Sequence, residues 1–132
     1  MTNLTPLVHG LFATDKVSGE IVGLRASRCH TCSDVSFPYS IRCPNCASTV
    51  EPGEILLSRS GTVFEFTTVY SPAPGFVPPY TVGYVDLDEG IRVYSQFEAA
   101  EGKPLHEGDV VHFALKEIPF LSETRLGYVF KT

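Results

Sequence analysis

From Gly61 to the C-terminus, β-branched and aromatic residues recur in short runs, and no stretch keeps a helical period. The runs cover residues 61–70, 80–87, 91–97, 109–116 and 125–130. Turn chemistry divides them: Asp88-Glu89-Gly90 between the second and third runs, and Glu107-Gly108 before the fourth. Five strands in so short a span suit a small closed barrel of the oligonucleotide/oligosaccharide-binding (OB) type, whereas a sandwich needs more strands. Residues 98–106 leave room for one helical turn between the third and fourth strands. The first and second runs are joined by residues 71–79, which contain Pro72, Pro74, Pro78 and Pro79. Proline restricts φ and removes amide donors, so this loop is expected to be semi-rigid and to stay out of the sheet.

Upstream the pattern is looser. Leu11-Phe12-Ala13-Thr14 and Glu20-Ile21-Val22-Gly23-Leu24 flank a turn at residues 15–19 and read as a β-hairpin, with a short helix near Pro6 to Leu11 as an alternative. Residues 25–50 carry every cysteine of the chain, together with Pro38 and Pro44. The expected organisation is therefore mostly β: an N-terminal segment and metal ribbon over 1–54, then a five-stranded OB-fold barrel over 55–132.

Cys29-His30-Thr31-Cys32 and Cys43-Pro44-Asn45-Cys46 are two C-x-x-C pairs separated by ten residues. Each pair forms a tight knuckle with backbone amides directed at the sulfurs. Two facing knuckles supply four sulfurs at tetrahedral spacing, the arrangement that structural zinc takes. Redox-active C-x-x-C pairs and structural disulfides use the same residues. Thioredoxin-like chemistry, however, expects one such motif at the start of a helix in an α/β fold, and this sequence has neither. Rubredoxin-type iron uses the same ligands too. Rubredoxin knuckles usually carry Gly after the second Cys, where this chain has Ser33 and Ala47, so zinc is favoured. His30 lies within a knuckle whose coordination is already complete, and is read as a solvent-facing loop residue.

A filled four-thiolate site has no open position for water or substrate, so its zinc is structural and not a Lewis acid. With all four cysteines engaged, no thiol remains as a nucleophile. No G-x-S-x-G elbow and no Gly-rich phosphate cradle is present. His9, His106 and His112 are scattered, and His112 reads as a strand residue. Asp86, Asp88 and Glu89 read as turn formers. No catalytic residue is assigned.

The net charge of −5 lies wholly beyond residue 59. The earlier part balances Lys16, Arg25, Arg28, Arg42 and Arg59 against Asp15, Glu20, Asp34, Glu51 and Glu54. Nucleic-acid binding draws most of its affinity from cations on phosphate, so this distribution argues against it. A single-stranded nucleic-acid binder stays as the alternative reading, with Tyr84, Tyr94 and Phe97 as stacking residues and Arg92 as the nearby cation. Arg25, Arg28 and Arg42 surround the knuckles. They either offset the negative metal–sulfur cluster or form a phosphate-binding surface for a ligand such as coenzyme A. Phe76 and Tyr80 are either anchors of the proline-rich loop or aromatics that meet a partner or ligand. No apolar run reaches the roughly 18 residues of a membrane span, and the first residues lack the pattern of a secretory signal. Both point to a cytoplasmic protein without membrane association.

The run Leu24-Arg25-Ala26-Ser27-Arg28-Cys29-His30-Thr31-Cys32, then Phe37-Pro38, Cys43-Pro44-Asn45-Cys46 and Gly61-Thr62-Val63, resembles the zinc-ribbon/OB-fold family known as domain of unknown function thirty-five. Pro72-Ala73-Pro74-Gly75-Phe76, Pro79-Tyr80-Thr81-Val82-Gly83 and Gly108-Asp109-Val110-Val111 extend the resemblance along nearly the whole chain. The departure lies at the N-terminus, where many relatives have an aromatic-rich helix. What the resemblance implies is an accessory subunit of acyl-CoA enzymes, such as thiolases, acyltransferases, synthases, aldolases and hydratases. The small subunits of degradative thiolases are nearest in pattern. It further implies a hetero-oligomer in which a thiolase-fold partner carries the catalytic residues and the barrel helps shape the coenzyme A site.

Overall fold

A computed structural model describes Pro6 and residues 10–73, 76–120 and 123–132 of the chain. Among the described residues nine strands follow one another: β1 (Phe12–Thr14), β2 (Ile21–Arg28), β3 (Val35–Ser36), β4 (Gly53–Leu56), β5 (Ser60–Val69), β6 (Tyr80–Leu87), β7 (Arg92–Glu98), β8 (Val110–Phe120) and β9 (Glu123–Lys131). The first four form a small sheet around β2, with β1, β3 and β4 all antiparallel to it. The last five close into a barrel in the order β5-β6-β7-β9-β8. Four of its five junctions are antiparallel, and β7 meets β9 in parallel through Gln96, Phe97 and Glu98. The OB-type barrel and the mostly-β class are as the strand pattern predicts. The small sheet ends at Leu56 and the barrel opens at Ser60.

Alternation decides which side chains fill the barrel. Along β7, Val93, Ser95 and Phe97 are buried, while Arg92 and Tyr94 between them are exposed. This corrects one expectation: Phe97, 3% exposed, belongs to the core and offers no stacking face. Tyr84 and Tyr94 are paired across β6 and β7 on the outside, their rings edge to face with centroids 5.6 Å apart. A bulge at Phe64 shifts the β5–β6 register, and Arg92 lies 3.4 Å over the extra ring while bonding Asp86. Gly83 is needed beside this bulge, because a Cβ there would run into the Glu65 carbonyl.

Sheet and barrel share one apolar core. Leu11, Phe12, Leu24, Ala26 and Leu57 pack in the same cluster as Val63, Val85, Phe113 and Phe130. Phe12 meets Phe113 edge to face, and Phe37 meets Tyr128 in the same way with centroids 6.2 Å apart. Tyr128 is largely buried and donates its hydroxyl to the Tyr94 carbonyl, and burial holds that phenol well above its ordinary pKa. On the far side Asp88 and Glu89, at the β6–β7 turn, hold Ser58 through its hydroxyl, and Glu89 also accepts its amide.

The β1–β2 hairpin forms as read, its turn closed by Asp15, whose carboxylate accepts the Val17 and Ser18 amides. Those amides keep Asp15 below the usual carboxylate range, the Ser18 contact first. The alternative helix between Pro6 and Leu11 falls largely outside the described residues, as does His9. Residues 98–106 make no helical turn. Lys103 instead donates to Ala100 in a β-turn with Gly102 at φ +77°, a conformation that breaks a helix. No described residue of the proline-rich loop joins the barrel, and Phe76 turns back to donate its amide to Ala73.

Candidate metal centre

The first knuckle leaves the end of β2, and the second sits between β3 and β4, so pairing of those strands on β2 brings the two together. Each knuckle repeats the same backbone closure. Ser33 donates to the Cys29 carbonyl and Cys29 to Asp34; Ala47 donates to the Cys43 carbonyl and Cys43 to Ser48. Ser33 and Ala47 both adopt positive φ, 67° and 62°. They take the left-handed conformation that glycine usually supplies at this place, at a cost of roughly 1–2 kcal/mol each.

The four sulfurs lie within 4.8 Å of one another. Cys29 to Cys46 and Cys32 to Cys43 are 3.7 Å apart, beyond any disulfide bond and close to the edge of a tetrahedron built on ~2.3 Å metal–sulfur bonds. Cys29 and Cys43 are buried, and Cys32 and Cys46 face outward. Thr31 donates its amide to Cys29, and Asn45 reaches Cys32 through its side chain at 3.6 Å. A Thr31–Ser48 hydroxyl contact at 2.9 Å ties one knuckle to the other. These outer contacts orient sulfurs as second-layer groups do in metal sites.

The electrostatics show why a cation belongs there. Backbone amides, that of Cys32 foremost, lower the Cys29 thiol to about 6, and the Asp34 amide and Asn45 lower Cys32. Cys46 accepts the Ser48 amide, which favours its thiolate, yet desolvation and the three neighbouring sulfurs push it up to about 12. Four sulfurs this close cannot all ionise unaided; a divalent cation removes the conflict. The residues present fit a tetrahedral four-sulfur metal site with no open position, as zinc takes.

The remaining residues singled out from the sequence are distributed as follows. His30 is exposed and packs over Gly53. Arg25 pairs with Glu54 and lies 3.7 Å over the Tyr39 ring, so Glu54 offsets one of the local cations. Arg25 and Tyr39 also line an open cleft of about 750 Å³ with Glu51. Arg28 is exposed and donates to the Ser33 carbonyl, bracing the first knuckle. An odd spacing along β2 sends Arg25 and Arg28 to opposite faces of the strand. Arg42 is exposed beside Cys43 and forms no ion pair among the described residues. Phe76 and Tyr80 stack at 5.0 Å with 24° between their planes, on the wall of a second cleft of about 570 Å³. His112 is exposed, its Nδ1 2.7 Å from Ser60 Oγ across the β5–β8 pair. Tyr39, Asn45 and Gln96, a wall residue of the second cleft, carry no sequence signal of their roles. Each depends on which strand or loop lies opposite. No helix among the described residues is long and apolar enough to cross a membrane.

Residues 54–116 match the family model described as the C-terminal OB-fold domain of ChsH2. A benzoylsuccinyl-CoA thiolase subunit, BbsA, of Thauera aromatica is 36% identical over 80 residues, covering 60% of this chain and 54% of that protein. The chain thus spans about half the length of that subunit. A DUF35 domain-containing scaffold protein of Methanothermobacter thermautotrophicus is 31% identical over 97 residues, 72% of this chain and 73% of the relative. Among solved structures, an Ltp2-ChsH2(DUF35) aldolase superposes with a TM-score of 0.63 at 25% identity, over 83% of this chain and 84% of that one. By its barrel match and its likeness to the scaffold protein over most of both lengths, the chain belongs to the DUF35 family, as a four-cysteine ribbon joined to an OB-fold barrel.

Proposed function

We propose that this chain is a non-catalytic, zinc-binding accessory subunit of a thiolase-fold acyl-CoA complex, supporting assembly and the binding of acyl-CoA or coenzyme A. The observation that carries the reading is the convergence of all four cysteines on one closed site. Such a site leaves no thiol for acyl transfer and no open metal position for a substrate oxygen. Relatives named as a thiolase subunit and as scaffold proteins support a role beside a catalytic partner. In this reading residues 1–54 and 55–132 act as a ribbon module and a barrel module. Zinc held by Cys29, Cys32, Cys43 and Cys46 fixes the ribbon against β2 so that it and the proline-rich loop meet the partner. The partner supplies the reacting Cys and His. Arg42, whose guanidinium has neither an ion-pair nor a hydrogen-bond partner among the described residues, is the leading candidate for a coenzyme A phosphate, with Arg28, held by the Ser33 carbonyl, and Arg25, paired with Glu54, behind it.

The test is co-expression with a thiolase-fold protein from the same host, followed by size-exclusion chromatography and metal analysis. The expected result is a stable hetero-oligomer, one zinc per chain, and acyl thioester turnover only when the partner is present. Turnover by the purified chain alone, or a folded ribbon without metal, would overturn the proposal.

A further inference from the structure

Three strands of the barrel, β5, β6 and β7, turn one face to solvent, and their register sets its side chains in rows. In one row Thr62, Asp86 and Arg92 lie side by side. In the next, Glu65 stands beside Tyr84, and Tyr84 beside Tyr94. Cross-strand neighbours of this kind share a face, with Cβ atoms about 4.5–5.5 Å apart. Phe66 and Gly83, one position further on, pack toward the core, so Glu65 and Tyr84 point outward. Phe64, the extra residue of the bulge, is exposed as well.

Two combinations of aromatic ring and carboxylate sit on this face, and one of them is filled. The Arg92 guanidinium lies 3.4 Å over the Phe64 ring and binds Asp86 at 2.6 and 3.3 Å. A guanidinium on a ring face, held by a carboxylate, joins cation–π attraction to charged hydrogen bonds. The neighbouring row repeats these ingredients without the cation. Tyr84 and Tyr94 meet edge to face yet stay 39% and 56% exposed. The exposed Glu65 carboxylate has no hydrogen bond or ion pair among the described residues. Its charge reaches Arg92 only through space, because the bonds of that guanidinium go to Asp86. Two carboxylates thus face one cation, in the part of the chain that carries the whole net charge of −5. The shortfall on this face is one positive charge.

We propose that Glu65, Tyr84 and Tyr94 form a seat for an arginine side chain of a protein partner, the counterpart of the Arg92 seat beside it. The guanidinium stacks on an exposed tyrosine face and bonds the Glu65 carboxylate in a planar fork, a geometry that lysine lacks. An anion is repelled by Glu65, and an apolar side chain would desolvate that carboxylate without pairing it. A nucleic-acid strand finds the rings but meets the same repulsion at its phosphates. The chemistry of the seat stands apart from the subunit role proposed above; only the owner of the arginine, a thiolase-fold partner, rests on that role.

The experiment titrates the zinc-loaded full chain with the peptide acetyl-Gly-Arg-Gly-amide and with its citrulline counterpart, which keeps the shape and lacks the charge. NMR of the tyrosine rings and backbone amides follows binding. The arginine peptide is expected to shift Glu65, Tyr84 and Tyr94 saturably and to bind at least fivefold more tightly than the citrulline peptide. A lysine peptide should bind more weakly than the arginine one. Glu65→Gln should abolish the preference for charge, and Tyr94→Ala should weaken the arginine peptide about threefold. Zinc content and thermal unfolding check that each variant is folded; should Tyr94→Ala not fold, Glu65→Gln, an exposed and isosteric change, decides alone. No saturable shift, equal binding of the arginine peptide and either of the others, or a preference that survives Glu65→Gln overturns the proposal. So does binding of oligo(dT) at these rings without any response to arginine. The owner is then tested in the complex with the thiolase-fold partner, where Glu65→Arg should weaken association at least tenfold. A complex indifferent to Glu65→Arg, with the peptide preference intact, upholds the seat and assigns its arginine to a different protein.

Discussion

The ribbon and the barrel are both β structure, but they are stabilised by different means. Around the sulfurs, β3 and β4 are two and four residues long, and residues 30–34 and 44–47 are exposed or nearly so. Too little apolar surface is buried there to offset the loss of backbone freedom, a deficit that a metal held by the four cysteines would make up. The barrel has strands of seven to eleven residues, ladders closed on both sides, and buried residues on every strand. It needs no ion. What joins them is β2, whose Leu24, Ala26 and Ser27 are buried while its last residue leads into Cys29. Metal-dependent order and core-dependent order therefore meet on one strand.

Removing the metal gives the largest effect. Stripping zinc with a chelator, or making Cys43→Ser, should cost most of the binding free energy of such a site, of order 10 kcal/mol, and melt residues 29–52. Amide resonances of the barrel should persist. If they vanish together with the ribbon, the two regions fold as one unit and the contrast fails. Acid should act in the same sense. The folded arrangement of the knuckle lowers the Cys29 thiol to about 6 from its usual 9.0, so its thiolate favours that arrangement fully above about pH 9, and the contribution is lost as pH falls through 6. Cys46 has the opposite sign: raised to about 12, it favours the fold below 9 and loses that contribution as pH climbs through 12. Zinc affinity measured against pH should therefore drop steeply below about 6, where protons compete for the most acidic sulfur.

Phe130→Ala is the converse experiment. Phe130 is fully buried and touches Phe113 and Tyr128, so truncation should cost about 3–5 kcal/mol and lower the thermal midpoint of the barrel. Zinc content per folded chain should stay unchanged. Phe37→Ala sharpens the comparison at the seam. It removes the edge-to-face contact with Tyr128, and a destabilisation of roughly 1–2 kcal/mol should appear in both regions at once. Loss confined to the ribbon would mean that the shared cluster does not couple them. The smallest effect is Ala47→Gly. It releases a left-handed φ of 62° and should raise ribbon stability by less than about 1 kcal/mol, read as slower zinc release to a chelator.

Much of this molecule was legible in the sequence, and the parts that were share a physical character. The five barrel strands lie within a few residues of the apolar runs, because alternation records which side of a strand faces water. The cysteine cluster was legible because C-x-x-C closes its own loop: the amides that cradle each sulfur come from the next few residues. The same locality explains the Asp15 turn. One local reading did not hold. Residues 98–106 looked able to take a helical turn, and the left-handed Gly102 with Pro104 behind it ends any such start.

The sequence alone determined the strands, the hairpin turns and the two cysteine knuckles, since each follows from residues a few positions apart. Tertiary structure decided what depends on distant chain meeting distant chain. Only barrel closure put Phe97 inside and joined β7 to β9 in parallel. Only the pairing of β4 with β2 gave Arg25 its carboxylate partner, and only the folded loop stacked Phe76 on Tyr80. The physical reason is that side-chain periodicity records exposure to solvent but carries no record of which strand becomes the neighbour.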